Sequence, residues 1–130
     1  MDKLIYFRFM EELTANEEQI MRIFWKLERA IVRDVLDQLP EPKPPYTTLA
    51  SSIKVLEKKG YLGHKSYGKT NEYFILIPES EYRKKSFNTL LKNFFGGSVE
   101  NVLSFLVKEK KVSEKELEEL QKMIDGYEKK

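Results

Sequence analysis

The chain has 130 residues, of which 41% are hydrophobic, and a formal net charge of +2. A chain of this length can bury one modest core, or two small cores that share support from a partner subunit. It contains no cysteine, which excludes disulfides and thiolate metal sites and is compatible with a reducing cytoplasm. No apolar run approaches the length of a membrane span, so we expect a cytoplasmic protein without membrane insertion.

Residues 1–12 form a predicted N-terminal extension. They are apolar in places, but the apolar part is too short, and Asp2 and Arg8 lie too close to it, for a signal peptide. Two interpretations stay open: Met10 is the true start, or residues 1–9 form an extra strand.

The first helix is predicted to begin at a capping box, Thr14-Ala15-Asn16-Glu17, in which Thr14 caps the amide of Glu17. One apolar row runs through Ile20 and Phe24, and a second row contains Met21 and Trp25. A helix with such a wide apolar face is expected at the centre of the N-terminal core, with Trp25 as a core residue.

A second, shorter helix is predicted from about Val32 to Leu39, where Pro40 stops it. The proline-rich link over residues 41–45 separates this helix from the next one. A stiff link between two short helices is consistent with a helix-turn-helix variant, because both helices must keep a fixed crossing angle.

The third predicted helix begins near Tyr46 and ends at Gly60, and its two faces differ in chemistry. Leu49, Ile53 and Leu56 fall on one side, whereas the opposite stripe carries hydroxyl and ammonium groups and no carboxylate. A helix needs such a face to lie in a major groove bounded by phosphates. Taken alone, a solvated surface helix explains the pattern more often. The stripe contains Thr47, Ser51, Lys54 and Lys58.

A hairpin is predicted next, with strands over residues 61–67 and 71–77 around the turn Gly68-Lys69-Thr70. This hairpin is the candidate wing. Lys69 at its tip and Lys65 on the preceding strand would meet phosphates beside the groove.

The charge of the chain gathers on these two elements. Residues 1–42 hold six basic and nine acidic side chains, 6 − 9 = −3, whereas residues 43–78 hold six basic and two acidic ones, 6 − 2 = +4. This asymmetry is typical of a small DNA-binding domain. The lone His64 is expected at the surface, because no cysteine or second histidine could complete a metal site. Neither a metal nor a cofactor is predicted.

Pro78 marks the predicted boundary between a winged-helix domain, residues 13–78, and a helical region, residues 79–130. The predicted fold class is therefore mainly α with a small β-hairpin. An N-terminal winged helix-turn-helix would be followed by a C-terminal helical dimerisation region.

Three amphipathic helices are predicted in the second region, with Ser80, Ser98 and Ser113 as their N-caps and Gly96-Gly97 ending the first of them. Three helices in about 50 residues cannot close a good core alone. A homodimer would solve this, and packing onto the winged half of the same chain is the alternative. The residues predicted for the dimer interface are Phe87, Leu91, Phe94, Phe95, Val102, Leu103, Leu106, Leu117, Leu120 and Ile124.

The order and spacing of these motifs resemble the penicillinase repressor family, the BlaI/MecI/CopY type of bacterial winged-helix regulators. The resemblance covers nearly the whole chain after Glu12. It rests on Leu13-Thr14 with Glu17 or Glu18 and Met21 before Trp25, Val32-Arg33-Asp34-Val35, Tyr46-Thr47-Thr48, Leu56-Glu57-Lys58-Lys59-Gly60, Tyr73 and Gly96-Gly97.

The resemblance implies a homodimer that binds a palindromic promoter operator, with the winged half reading DNA and the C-terminal helices dimerising. Members of the family often repress genes for antibiotic resistance or metal handling. Several are inactivated by proteolytic cleavage in the dimerisation half. That segment aligns near Ser104-Phe105 here, and a membrane-bound sensor protease stays open as a partner.

The chain also departs from the family pattern. Val55 occupies a position where the family frequently has a second basic residue, and Ala50 has no polar reach, so the operator sequence cannot be carried over. The cysteine motif of the copper-responsive members is missing, which argues against copper sensing. Ser104 replaces the usual asparagine of the cleavage segment.

The sequence therefore predicts a repressor that contacts base edges and phosphates through the third helix and flanking phosphates through three further lysines. The alternative is a winged-helix protein-interaction module that does not bind DNA. An enzyme is not predicted, because the chain has one histidine, no cysteine and no glycine-rich phosphate loop. The predicted DNA-binding residues are Thr47, Thr48, Ser51 and Lys54, with Lys58, Lys65 and Lys69 on the flanking phosphates.

Overall fold

The computed structural model describes residues 10–128, except for the side chains of Ile124, Tyr127 and Glu128. Residues 1–9, for which an extra strand and a later start at Met10 stayed open, lie outside this range. The chain divides into two compact units, Met1–Lys85 and Ser86–Lys130. The functional division at Pro78 stays a prediction.

The first unit contains helices packed on a small sheet. The sheet is antiparallel, with strand order β1-β3-β2 and with Leu62 opposite Ile75 and Tyr67 opposite Thr70. The described elements are therefore mainly helical with a small β-hairpin, as predicted. In chain order they are α1 (Ala15–Leu27), β1 (Arg29–Ala30), α2 (Val32–Gln38), α3 (Tyr46–Lys58), β2 (Leu62–Tyr67) and β3 (Thr70–Ile75).

Two details of the sheet differ from the sequence expectation. The strand β1 was not predicted, because two residues carry no alternating pattern and their pairing with β3 is set by tertiary structure. Thr70 belongs to β3 rather than to the turn, since it pairs with Tyr67 and leaves Gly68 and Lys69 as the two-residue loop.

The capping box at the start of α1 is confirmed. The Thr14 hydroxyl accepts from the Glu17 amide at 3.1 Å, and the Thr14 amide donates to the Glu17 carboxylate at 2.9 Å. The helix ends where Glu28 takes a positive φ of 69°, which turns the chain towards β1. Both helix ends are thus fixed by local interactions.

The core of this unit lies between α1, α2, α3 and the sheet. The apolar residues predicted for α3, which are Leu49, Ile53 and Leu56, are at most 1% exposed. Trp25, predicted as a core residue, is only partly buried. It packs against the core, and its indole Nε1 donates to the Ile77 carbonyl at 2.9 Å. Burial of one face of α3 directs its polar face to solvent.

The chain before α1 is also anchored to this core. Met10 is 6% exposed, and the Tyr61 hydroxyl donates to the Glu11 carbonyl. Burial raises the pKa of the Tyr61 phenol, because the ionised phenolate would lose its hydration there.

Three further helices follow: α4 (Glu79–Phe95), which continues into the second unit, α5 (Val99–Lys108) and α6 (Glu114–Glu128). The prediction that Ser80 caps α4 is wrong, because the helix begins at Glu79. The Pro78 carbonyl instead accepts from the amides of Glu81 and Tyr82 at 3.1 and 3.2 Å. None of the helices within residues 10–128 is long and apolar enough to cross a membrane.

The other helix boundaries of the second unit are confirmed. The Ser98 hydroxyl accepts from the Asn101 amide at 3.1 Å, and Ser113 forms a capping box with Glu116 at the start of α6. Positive φ values of 59° and 76° at Gly96-Gly97 end α4, in a conformation that glycine adopts without steric cost.

No described side chain of residues 86–128 is buried. The rings of Phe95 and Phe105 meet edge to face with centroids 5.7 Å apart, but Phe94 is 75% exposed. An isolated copy of this unit therefore leaves much of its apolar surface in water.

Candidate nucleic-acid interface

The exposed face of α3 carries all the polar residues that the sequence predicted there. Helical periodicity places them opposite the buried leucines and isoleucine, so the fold of the core fixes the direction in which they point. The exposed residues are Thr47, Thr48, Ser51, Lys54 and Lys58.

The hairpin of β2 and β3 projects beside this helix and exposes Lys65 and Lys69. Gly68 takes a φ of 63° at the first position of the loop, which a tight hairpin turn requires. Tyr67 is 54% exposed, and the Lys65 ammonium lies 5.4 Å from the centroid of its ring. The tip of the hairpin therefore presents two cations and one aromatic ring.

A cavity of about 390 Å³ lies where α2, α3 and the hairpin meet. It brings Lys54 and Lys69 together with Arg33 and Tyr46, two residues that the sequence did not predict for the site. The Arg33 guanidinium carbon lies 5.5 Å from the centroid of the Tyr46 ring. Thr47, Thr48, Ser51, Lys58 and Lys65 do not line this cavity. Three elements thus converge their cationic side chains on one concave surface.

The cations of this surface have no acidic partners among residues 10–128. No described carboxylate lies within the 4.0 Å ion-pair distance of Arg33, Lys54, Lys58, Lys65 or Lys69. The one carboxylate of α3, Glu57, is engaged by the imidazole of His64. The surface is therefore set up to attract an anion such as a phosphate backbone.

Lys59 differs from this group although it follows Lys58 directly. Its ammonium lies 2.7 Å from the Glu17 carboxylate and 3.0 Å from the Glu12 carbonyl, and its side chain is 19% exposed. Burial alone would raise the pKa of Glu17. The hydrogen bonds from Lys59 and Thr14, together with the charge of Lys59, outweigh burial and lower it. Lys59 thus fastens α3 to α1.

Arg33 and Tyr46 were missed because their role depends on how two helices meet. Each residue stands at the start of its helix, Arg33 on α2 and Tyr46 on α3. A helix-turn-helix joins the end of its first helix to the start of its second. The sequence pattern therefore predicts that α2 and α3 pack together but not that Arg33 contacts Tyr46.

Within residues 10–128, no group of three or more histidine, cysteine, aspartate or glutamate side chains is placed to hold a metal ion. The described surface instead combines a helix rich in hydroxyl and ammonium groups with an adjacent basic hairpin. Together with the helical core that positions them, these features define a winged-helix DNA-binding protein.

A family model described as penicillinase repressor matches residues 13–126. The chain belongs to the penicillinase repressor family, a family of DNA-binding transcriptional repressors.

Individual relatives agree with this assignment. The chain is 30% identical over 116 residues to the methicillin resistance regulatory protein MecI of Staphylococcus aureus (strain N315), covering 88% of this chain and 94% of that protein. It is 23% identical over 121 residues to the penicillinase repressor of Bacillus licheniformis, covering 89% and 91%.

A solved structure is similar to about half of the chain. The solution structure of the DNA binding domain of the repressor BlaI has a TM-score of 0.50 and 26% identity, covering 56% of this chain and 90% of that one. The predicted family and the predicted winged helix-turn-helix are thus confirmed. The roles of individual residues stay predictions.

Proposed function

We propose that this chain is a homodimeric transcriptional repressor that acts in the bacterial cytoplasm by occupying a palindromic promoter operator. The observation that carries the proposal is the set of cations on α3 and the hairpin that have no described acidic partner. Such cations can neutralise phosphates at little cost, because binding breaks no ion pair inside the protein.

We assign the residues of each subunit to two roles. Thr47, Thr48, Ser51 and Lys54 face base edges and nearby phosphates, because they share the exposed face of α3. Phosphates beside the groove are held by the remaining lysines and by the cationic cavity. These phosphate ligands are Lys58, Lys65 and Lys69, with Arg33 and Tyr46 added from the cavity.

The second unit is proposed to hold two subunits together. Its described side chains are all at least partly exposed in a single chain, and a second copy could cover the apolar ones. A two-fold dimer places its recognition helices on a two-fold operator. The proposed interface residues are Phe87, Leu91, Phe94, Phe95, Val102, Leu103, Leu106, Leu117 and Leu120, together with Ile124, whose side chain is not among those that the structure describes.

Release from the operator is proposed to follow loss of dimerisation, because two linked half-site contacts bind far more tightly than separate ones. Ser104 and Phe105 are a candidate cleavage site for a membrane-bound sensor protease. Both side chains are exposed, but the bond between them lies inside α5. A protease would therefore have to unwind this helix before cutting.

The test is fluorescence anisotropy with the full chain on the intergenic DNA upstream of its own gene and on a scrambled duplex of equal composition. We expect selective binding, with a binding constant whose logarithm falls linearly with the logarithm of the salt concentration. Equal binding to both duplexes at every salt concentration would overturn the proposal and favour the protein-interaction module.

A further inference from the structure

Val55 is an apolar residue on the exposed side of α3. Its side chain is 42% exposed, whereas Leu49, Ile53 and Leu56 of the same helix are at most 1% exposed. At about 100° per residue, Val55 lies only about 20° from Thr48 and about 40° from Ser51 around the helix axis. It therefore shares a side of the helix with two residues proposed to meet base edges.

A single exposed valine is ordinary on a protein surface and indicates nothing by itself. The position of Val55 changes this, because a helix side that enters the major groove loses water when it binds. A lysine at such a position can bind a phosphate and a hydroxyl can hydrogen-bond a base edge, whereas valine carries no charge and no hydrogen-bonding group. In the major groove, the apolar group on a base edge is the C5 methyl of thymine.

The side chain is also suited to this contact. As a β-branched residue in a helix, Val55 keeps one strongly preferred χ1 rotamer and loses little side-chain freedom when it is covered. Thr48 lies two turns before Val55, about 10 Å away along the axis, and contributes a hydroxyl and a second methyl to the same exposed side. Two separate methyl-bearing side chains therefore lie beside the hydrogen-bonding residues of α3.

We propose that Val55 reads the operator by packing against a thymine methyl, so that each half-site requires thymine at the base pair beneath it. This inference rests on the proposed function, because it presumes that α3 enters the major groove. It names a determinant of operator sequence that makes no hydrogen bond.

The test begins with an operator selected by the full chain from a random duplex pool. Each thymine of the half-site is then replaced by deoxyuridine at both symmetric positions, which removes the methyl and keeps base pairing. At one position we expect the affinity of the wild-type chain to fall about tenfold, because the replacement removes one buried methyl from each of the two half-sites. The Val55→Ala chain should show less than about a twofold change there.

Two variants identify the side chain responsible. Lys58→Ala should bind more weakly to every duplex but keep the deoxyuridine penalty, because it removes a phosphate contact from the same helix. Thr48→Ser removes the other methyl and should also keep the penalty. A penalty that persists in Val55→Ala but vanishes in Thr48→Ser would overturn the inference, because Thr48 would then be the residue that reads the methyl.

The outcomes separate the inference from the function on which it rests. Selection of a defined operator, with no thymine coupled to Val55, would overturn the inference and leave the repressor intact. Failure to select any sequence from the pool would overturn the proposed function, and the inference with it.

Discussion

Lys58 and Lys59 show how one step along a helix changes the role of a residue. Lys58 is exposed on the side of α3 that carries the site, whereas Lys59 turns towards α1 and pairs with Glu17. A rotation of about 100° separates a proposed phosphate ligand from a structural ion pair. From the sequence alone, the adjacent lysines Lys58 and Lys59 would be assigned to one basic patch.

We predict that Lys59→Met lowers the free energy of unfolding by about 2–3 kcal/mol. The change leaves the Glu17 carboxylate, whose side chain is 9% exposed, without its cationic partner. Urea denaturation checks this value. Arg22→Met is the matched control, because it breaks the exposed pair of Arg22 with Glu18 and should cost less than about 0.5 kcal/mol. Similar small losses in both variants would contradict a structural role for Lys59.

The same pair predicts how stability depends on pH. The folded chain lowers the pKa of Glu17 from its ordinary value of 4.5, so the folded state binds this proton less readily than the unfolded state. The stabilisation is therefore complete above about pH 5 and is lost as the pH falls through the lower, folded pKa. Denaturation between about pH 3 and pH 6 should show a shallower acid loss in Glu17→Gln than in wild type. Parallel curves for the two chains would contradict this assignment.

At the scale of elements, the helix α3 and the hairpin are expected to contribute differently to DNA binding. Lys65→Ala and Lys69→Ala should weaken binding to all duplexes alike and reduce the salt slope by about one each, because each removes a phosphate contact. Ser51→Ala and Lys54→Ala should also change sequence preference, since these residues face base edges.

Anisotropy titrations over a salt series, on operator and scrambled DNA, measure both effects. The control is Lys26→Ala on α1, where the lysine side chain contacts Gln38 rather than the site. This variant should leave both slope and preference unchanged. An equal loss of specific and non-specific binding in all four site variants would contradict the division between helix and hairpin.

The elements that the sequence predicted well are those whose signals are local. The capping boxes at Thr14 and Ser113 depend on residues three apart, and the apolar row of α3 depends only on helical period. The strand β1 escaped prediction because it exists only through the tertiary pairing of Ala30 with Tyr73. The start of α4 at Glu79 is local, since the Pro78 carbonyl accepts from the amides of Glu81 and Tyr82, but the capping serine expected at Ser80 pointed to a later start.

The candidate site divides in the same way. Helical period was enough to place Thr47, Ser51 and Lys54 on one exposed face of α3. It could not show that Lys54 and Lys69 line one cavity with Arg33, because the folding of the hairpin and of α2 onto α3 creates that cavity.

At the scale of the whole molecule, the two units differ in how completely a single chain buries them. The first unit has a core that includes Phe24, Ile53 and Tyr61, each at most 1% exposed. Among the described residues 86–128, no side chain is buried. A helical unit with so little burial is marginal alone, because apolar burial is the main stabilising term. The proposed dimer would supply the missing contacts.

We predict that Phe94→Asp converts the proposed dimer to monomers. Phe94 is 75% exposed in the single chain and lies on the apolar stripe of α4 with Phe87 and Leu91. Two-fold symmetry places the new charge in the interface twice, and burial of an unpaired carboxylate is costly. The dimer dissociation constant should rise at least about a hundredfold, which corresponds to about 2.7 kcal/mol.

Sedimentation equilibrium of the full chain measures this change as a shift towards the monomer mass of 15.4 kDa. Asn93→Asp is the control, because it adds the same charge at the adjacent exposed position, about 100° away from Phe94 around the helix. The monomeric variant should keep the cooperative thermal unfolding of the first unit. It should lose operator affinity far more than non-specific affinity, because only the operator engages both half-sites. If Phe94→Asp stayed dimeric, the stripe on α4 would not be the interface. If it became monomeric but bound the operator as tightly as wild type, release by loss of dimerisation would be wrong.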